Sequence, residues 1–431
     1  MNFYIYTFGC KVNRYESEVM HNALENAGLK PAQNLQTADV IIINSCTVTS
    51  VADSKNRKLI RKLKRENPAA IVVLTGCMPQ AFPQNPILFE GCDIVAGNTN
   101  RAEIPKLISE FLQNGQQIIK IEQHKKREEA YENAQISHLS NRTRAIIKIQ
   151  DGCNRYCSYC IIPYARGSVR SKPLAALQTE AESLAKNGYT EVVLVGINLS
   201  CYGQDIGLEL CDAVKAVGAV QGVARVRLGS LEPEYLTENV LLALHSVPQF
   251  CPQFHLSLQS GCNRTLQHMN RKYTTNEYEE IVKNIRRIFK NPAITTDIMV
   301  GFPGESEEDF SDSVSFAKKI GFAKIHVFPY SPRAGTKAAE FDEQIEQSIK
   351  NQRAAAMLKI ADQLHKDFLK TQIGKTESVL FEKQNPKGEW EGFSANYTPV
   401  RVSSNDNLAG KIIDVRLISI TQDGSAMIGA L

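Results

Sequence analysis

Gln150–Gly167 reads QDGCNRYCSYCIIPYARG, and its three cysteines, Cys153, Cys157 and Cys160, decide how the middle of this 431-residue chain is read. A C-x3-C-x2-C segment presents three thiolates from one tight loop. A closed structural zinc site takes four ligands, so the count is one short. Three suit a [4Fe–4S] cluster whose fourth iron stays open, and an open iron can bind a substrate. The plain alternative is three buried or zinc-bound cysteines. The loop follows the apolar run Ala145–Ile149, the first of six strand candidates: AIIKIQ, EVVLVGIN, ARVRLGS, FHLSLQ, AITTDIMVG and AKIHVFPY. Helical stretches separate most of them. Six βα units predict an open parallel barrel, short of the eight that close one.

A second cysteine set lies outside this loop. Cys10, Cys46 and Cys77 each end a strand-like run, FYIYTFGC, DVIIINSC and AIVVLTGC, at intervals of 36 and 31 residues. Each interval is about one βα unit, and the sequence between reads helical (Glu16–Ala27, Ser54–Glu66). In a parallel α/β sheet the carboxyl ends of the strands share the ligand-bearing edge, so three strands would bring three thiolates together. Any one of these cysteines alone reads as a packed core thiol. Three at equivalent positions of a repeated unit read as a second three-cysteine iron–sulfur site.

Eleven cysteines without an N-terminal signal segment predict a reducing, cytoplasmic setting in which cysteines hold metals rather than disulfides. No apolar run approaches the ~20 residues of a membrane span, so no membrane partner is expected. Cys92, Cys201, Cys211, Cys251 and Cys262 show no ligand spacing and are assigned to packing. The boundaries expected are an N-terminal Rossmann-like parallel α/β domain at 1–123, a polar linker at 124–143, the open barrel domain at 144–370 and a small β-barrel at 371–431.

Net charge is only +4, but it is unevenly spread. KNRKLIRKLKR (Lys55–Arg65) carries seven cations and no anion. On a helix, Leu59, Ile60 and Leu63 form the buried stripe, while Lys55, Arg57, Lys58, Arg61, Lys62, Lys64 and Arg65 cover the rest. Like charges at i, i+4 oppose one another, so local stability does not account for the pattern. A solvated face and a phosphate-binding face are the two readings, and the position after Cys46 favours the second. RGSVRSK (Arg166–Lys172) and NRTLQHMNRK (Asn263–Lys272) add basic residues.

The barrel strand ends supply candidate cofactor contacts. Gly196 and Asn198 follow the second strand, and glycine there allows close backbone approach. Ser230 and Glu232 follow the third as partners for a ribose. Gln259 ends the fourth, Asp297 lies inside the fifth before a glycine-rich turn, and Arg333 follows the sixth. Tyr159 precedes the last cysteine of the loop.

Taken together, CNRYCSYC with PYARG, the three N-terminal cysteines, the QSG and FPGE segments and the C-terminal strands resemble the radical S-adenosylmethionine (SAM) methylthiotransferases over essentially the whole chain. TFGCKVNRYES around Cys10 is most similar to the branch acting on N6-threonylcarbamoyladenosine in tRNA; the isopentenyladenosine branch typically has a GCQMN-like stretch there, and the ribosomal-protein branch a GCPKN-like one. The resemblance implies two [4Fe–4S] clusters held by the six cysteines, SAM as radical source and methyl donor, and sulfur delivery to adenine C2 from the Cys10/Cys46/Cys77 site. It also implies a tRNA anticodon stem-loop as partner, an external low-potential reductant, a sulfur donor and a TRAM-like C-terminal barrel. That last part carries six Lys/Arg against seven Asp/Glu from Thr371 onward, so its RNA contacts would be local, through Arg401 and Lys411 with Trp390 or Tyr397 stacking on bases. The rivals are the same chemistry on isopentenyladenosine or on an aspartate of a ribosomal protein, and a two-cluster electron carrier. A carrier would normally close each cluster with four cysteines.

Overall fold

The computed structural model describes residues 1–47, 50–124, 130–132, 134–136 and 142–431. Most of the stretch expected as a linker (125–129, 133 and 137–141) lies outside the described residues. Its described part is packed: Ile136 is buried in the central core, and the Tyr131 hydroxyl donates to the Lys148 carbonyl at 2.5 Å.

Six parallel strands form the first sheet: β1 (Asn2–Thr7), β2 (Lys30–Pro31), β3 (Val40–Ser45), β4 (Ile71–Gly76), β5 (Ile94–Ala96) and β6 (Ile118–Lys120), in the order β2-β1-β3-β4-β5-β6. Every residue of β3 and β4 is buried, as expected of central parallel strands covered on both faces. Helices α1 (Lys11–Asn26), α2 (Ser50–Glu66), α3 (Cys77–Ala81) and α4 (Ile104–Asn114) complete the unit.

The second unit begins with β7 (Ala145–Lys148) and a short ribbon, β8 (Gln150–Asp151) with β9 (Arg170–Ser171), that brackets α5 (Ile162–Arg166). It continues through β10 (Glu191–Val195), β11 (Arg225–Leu228), β12 (Ser230–Leu231), β13 (Gln253–Leu256), β14 (Ala293–Val300) and β15 (Lys324–Pro329). The pairings run β7-β10-β11 and β12-β13-β14-β15, all parallel. The third strand is interrupted at Gly229, so the six expected strand runs form an open arc in two pieces. Ile147, Val192, Leu194, Leu256 and Ile298 pack with the helices in one core. Many of the alternate residues are polar, among them Lys148, Glu191, Arg225, Arg227, His255 and Asp297, and of these six all but the half-buried His255 and Asp297 are buried.

A helix at Gln347–Lys370 leads to a closed barrel of β16 (Thr376–Gln384), β17 (Trp390–Ser394), β18 (Pro399–Val402), β19 (Ile412–Ile420) and β20 (Met427–Ala430), ordered β16-β17-β18-β20-β19. It sits against the polar side of β11. Arg225 donates to the Phe393 carbonyl at 3.1 Å and Arg227 to the Ala395 carbonyl at 3.0 Å, while Glu191 balances both guanidinium groups. Among the described residues no helix is long and apolar enough to cross a membrane.

Candidate functional site

Neighbouring strands β1, β3 and β4 deliver Cys10, Cys46 and Cys77 to one edge. Gly9 precedes Cys10 at φ +99°, and a Cβ there would meet the Cys46 Cβ at 2.8 Å. Gly76 precedes Cys77 at φ +97°, with no room beside the Ser45 backbone at 2.5 Å. Both positions need a left-handed conformation and a missing side chain, which glycine alone supplies. The Asn13 amide NH2 donates to the Phe8 and Ser45 carbonyls at 3.0 and 2.9 Å. Its Oδ1 thereby faces the thiols, 3.8 Å from Cys10 Sγ and 4.0 Å from Cys77 Sγ. Burial pushes the Cys77 thiol up to about 12 despite the nearby Arg166 guanidinium.

Cys153, Cys157 and Cys160 come from one loop closed at its base by the β8–β9 ribbon, with the Cys153 amide donating to the Gly167 carbonyl at 2.9 Å. The segment around His268–Arg271 pins the loop's tip. Ser158 donates from its amide to the Met269 carbonyl (3.1 Å) and from its hydroxyl to the His268 carbonyl (2.8 Å). Arg271 donates to Cys157 Sγ at 3.3 Å and also bonds Glu232. Burial raises the Cys153 thiol to about 11 and the Cys160 thiol to about 12.

Arg166 links Cys77 to Asp151 at the base of the second cysteine loop. It closes α5, six residues after Cys160, and is fully buried. Its Nε donates to Cys77 Sγ at 3.3 Å, its Nη2 to Asn13 Oδ1 at 2.7 Å, and its guanidinium pairs with Glu16 and Asp151. Lys148 reaches the same two carboxylates at 3.0 Å each, and Arg101 reaches Glu16 at 3.2 Å. Burial alone would raise the Glu16 carboxyl, but Arg101, Arg166 and Lys148 outweigh it and hold it at about 2.

The expected cofactor contacts divide. Gly196 and Asn198 lie beside the loop: a Cβ on Gly196 would meet Gln150 Oε1 at 2.8 Å, and Asn198 Nδ2 is 3.8 Å from Cys153 Sγ. Asn198 Oδ1 is buried with no hydrogen-bond partner. Gln259 holds φ +69° and bridges the backbone of Asp297 and Met299. Asp297 pairs with His255 at 3.3 Å on the polar side of the sheet. Ser230 is exposed. Tyr159 packs edge-on to Phe302 at 6.4 Å in a small apolar cluster, an anchor for the loop. Two residues depart from expectation. Glu232 is already engaged by Arg271 and, at 3.8 Å, by Arg155, so its carboxylate fastens the loop rather than standing ready for a ribose. Arg333 turns to the N-terminal unit, pairing with Asp53 at 2.5 Å, bonding Thr47 beside Cys46 and covering the Phe82 ring at 4.6 Å.

The basic helix α2 buries Ile60 and Leu63 and half-buries Leu59; Lys55, Lys58, Arg61, Lys62 and Arg65 are exposed, whereas Arg57 is half-buried and Lys64 pairs with Asp93 at 2.6 Å. The other basic stretches correct the sequence reading. Arg166, Arg170 and Lys172 are buried, and Arg271 faces Cys157, so these charges serve the interior. Trp390 is likewise buried in the C-terminal barrel core, and Tyr397 is stacked on Phe393 at 4.5 Å with Arg227 at 4.6 Å, so neither ring is free to stack on a base. Arg401 is paired with Glu391 and Asp423, while Lys411 is exposed. Sequence reasoning missed Asn13, Glu16, Arg166 and Arg271. The available signal was an isolated Lys148 and Asp151 bounding an apolar strand.

Each cysteine set is all sulfur, the donor class that suits iron–sulfur clusters. Among the described residues, no group of three or more His, Cys, Asp or Glu side chains converges as a single-ion site. The second set also has an unpartnered acceptor, Asn198 Oδ1, and the tight Gly196 turn beside it, features that fit a ligand presenting hydrogen-bond donors. Residues 2–97 match the family described as Uncharacterized protein family UPF0004, and residues 147–317 match the Radical SAM superfamily. The chain is 34% identical over 419 residues to the threonylcarbamoyladenosine tRNA methylthiotransferase MtaB of Bacillus subtilis (strain 168), covering 96% of this chain and 93% of that one. It is also 34% identical over 425 residues to the tRNA-2-methylthio-N(6)-dimethylallyladenosine synthase of Clostridium tetani (strain Massachusetts / E88), covering 96% and 93%. Among solved structures, the radical SAM methyltransferase TsrM of Kitasatospora setae shares the fold at 16% identity, with a TM-score of 0.58 over 78% of this chain and 77% of that one. With a radical SAM barrel, an N-terminal unit matched to its own family and relatives aligned over nearly their full length, the chain belongs to the radical SAM methylthiotransferase family of enzymes.

Proposed function

We propose that this enzyme installs a methylthio group at C2 of N6-threonylcarbamoyladenosine next to the tRNA anticodon, with Cys153, Cys157 and Cys160 holding one [4Fe–4S] cluster and Cys10, Cys46 and Cys77 a second. The observation that carries the reading is the pair of separate all-thiol triads, with Arg166 joining Cys77 of one to Asp151 at the base of the loop that carries the other. The choice of nucleoside rests on the stretch around Cys10 and on the name of the B. subtilis relative. When bound, the clusters and SAM supply radical hydrogen removal from an unactivated C–H bond, the sulfur and the methyl group, with electrons and sulfide from external donors.

The chain's own work is positioning. Arg271 and Glu232 fasten the cysteine loop, and Tyr159 anchors its far side in apolar packing. Asn198 Oδ1 offers a buried acceptor to SAM. Glu16, Arg166 and Asp151 fix the N-terminal unit against the barrel, so that the target base, flipped out of the anticodon loop, has one place to lie. The exposed cations of α2 hold RNA phosphates.

The test is nucleoside mass spectrometry on anaerobic reactions of reconstituted protein with SAM, reductant, sulfide and tRNA from cells lacking the modification. A methylthio mass gain on threonylcarbamoyladenosine is the expected result. Gain on isopentenyladenosine instead overturns the choice of nucleoside. Gain on neither, with deoxyadenosine still formed, points to a protein substrate.

A further inference from the structure

A cavity of about 340 Å³ opens one residue from Cys10, between the first turn of α1, the sheet residues Ile146 and Val193, and the C-terminal barrel. Its walls carry Lys11, Arg14, Arg142, Arg144, Arg227 and Lys383 against a single carboxylate, Glu382. That carboxylate is taken by Arg144 at 2.8 Å, and Arg227 is paired with Glu191 at 2.9 Å. Lys11, Arg14, Arg142 and Lys383 make no ion pair among the described residues. Lys11, Arg14 and Lys383 are exposed at the cavity and Arg142 is half-buried, so the cavity offers an entering anion an excess of positive charge.

We infer that this cavity binds the carboxylate of the threonylcarbamoyl group, with Lys11 and Arg14 as the residues that select this nucleoside. The inference rests on the proposed function. In adenine, C2 and C6 flank N1, so a side chain on N6 leaves the base close to the carbon being modified. Cys10 belongs to the triad proposed to serve that carbon, and Lys11 follows it directly in the chain. A carboxylate at the end of the side chain meets the cations while its aliphatic part meets Ile146 and Val193. An isopentenyl group has no charge and leaves the cations unbalanced, which is discrimination by an unmet electrostatic requirement. A backbone phosphate shares the anionic chemistry but is carried by every RNA and gives no such discrimination.

The experiment compares four short anticodon stem-loop RNAs bearing threonylcarbamoyladenosine, its methyl ester, isopentenyladenosine or unmodified adenosine. Binding is read by fluorescence anisotropy and kcat/KM by nucleoside mass spectrometry, using holoenzyme in wild-type form and as Lys11→Gln, Arg14→Gln and Arg14→Lys. The acid should bind about tenfold or more tighter than its ester in the wild type, and the gap should shrink to about threefold or less in Arg14→Gln and Lys11→Gln. Arg14→Lys should keep most of it. Equal losses on acid and ester in the Gln variants would mean a phosphate contact or a structural role and overturn the inference. So would a wild type that binds both forms alike. If the wild type methylthiolates acid and ester equally, the proposed function stands and the pocket assignment falls. If it methylthiolates neither but accepts isopentenyladenosine, the proposed function falls and this inference with it.

Discussion

The two cysteine triads solve one problem by opposite routes. Cys153, Cys157 and Cys160 sit within eight consecutive residues, closed at the base by a two-strand ribbon. Cys10, Cys46 and Cys77 come together only because three neighbouring parallel strands end at one edge. Yet each triad has one buried arginine 3.3 Å from one sulfur, Arg271 at Cys157 and Arg166 at Cys77. The difference lies in what holds the arginine. Arg271 is held by Glu232 and Tyr273, inside the barrel unit. Arg166 is held by Glu16 of the N-terminal unit and Asp151 of the barrel. The arginine beside the local triad is therefore held within one unit, whereas the arginine beside the dispersed triad is held by two.

The sharpest break of this comparison is chemical. Under the proposed assignment, Cys157→Ala removes the SAM-binding cluster and should abolish both deoxyadenosine and methylthio product. Cys46→Ala should leave deoxyadenosine formation near wild type and end methylthiolation, and each variant should carry about half the iron of the wild type. Iron analysis and chromatography of the nucleosides check this. A normal product from Cys46→Ala would remove the sulfur-delivery role from the dispersed triad.

A second break is structural. Arg166→Met leaves Glu16 and Asp151 short of one buried cation, a change that typically costs about 3–5 kcal/mol. Arg271→Met leaves Glu232 still near Arg155 and should cost less, about 1–3 kcal/mol. Urea unfolding of the two variants separates them; equal losses would mean that the inter-unit network is no more demanding than the local one. The same network gives a pH dependence with a definite sign. The Glu16 carboxyl is held at about 2, below its usual 4.5. Its contribution is fully present above pH ~4.5 and is lost as the pH falls toward 2, a difference of roughly 3 kcal/mol for that group. Urea midpoints between pH 7 and pH 3 should fall more steeply in the wild type than in Glu16→Gln.

The same contrast explains what could be read from the sequence. Strand periodicity, βα spacing and cysteine intervals are local, so the open barrel, the parallel N-terminal sheet and the adjacency of the strands that precede Cys10, Cys46 and Cys77 were legible. Which charges face inward is decided by contacts between residues far apart in sequence. Arg166, Arg170 and Lys172 read in sequence as further basic residues and are interior, because Glu16, Asp151 and Glu180 meet them from elsewhere in the chain. Arg333 and Glu232 were misplaced for the same reason: their partners, Asp53 and Arg271, lie far away in sequence.

The smallest effect concerns the basic helix, where the interior and exterior cations separate. Lys58 is exposed, and among the described residues Arg61 is paired only with Glu90 at 3.8 Å, both side chains mostly in water (69% and 72% exposed), an arrangement worth little to stability. Lys58→Gln and Arg61→Gln should therefore leave the unfolding midpoint unchanged. If α2 holds phosphates, each substitution should weaken tRNA binding about two- to fivefold and reduce the slope of log affinity against log salt by about one. Arg401→Gln is the control on the C-terminal barrel. Its guanidinium is already matched by Glu391 and Asp423, so the salt slope should not move. A slope unchanged in all three variants would make α2 an ordinary solvated face and shift the search for the RNA surface to the cation-lined cavity beside Cys10. A slope lowered only by the Lys58 and Arg61 changes would mean that the dispersed triad brings its RNA-binding surface with it, on the helix that follows Cys46.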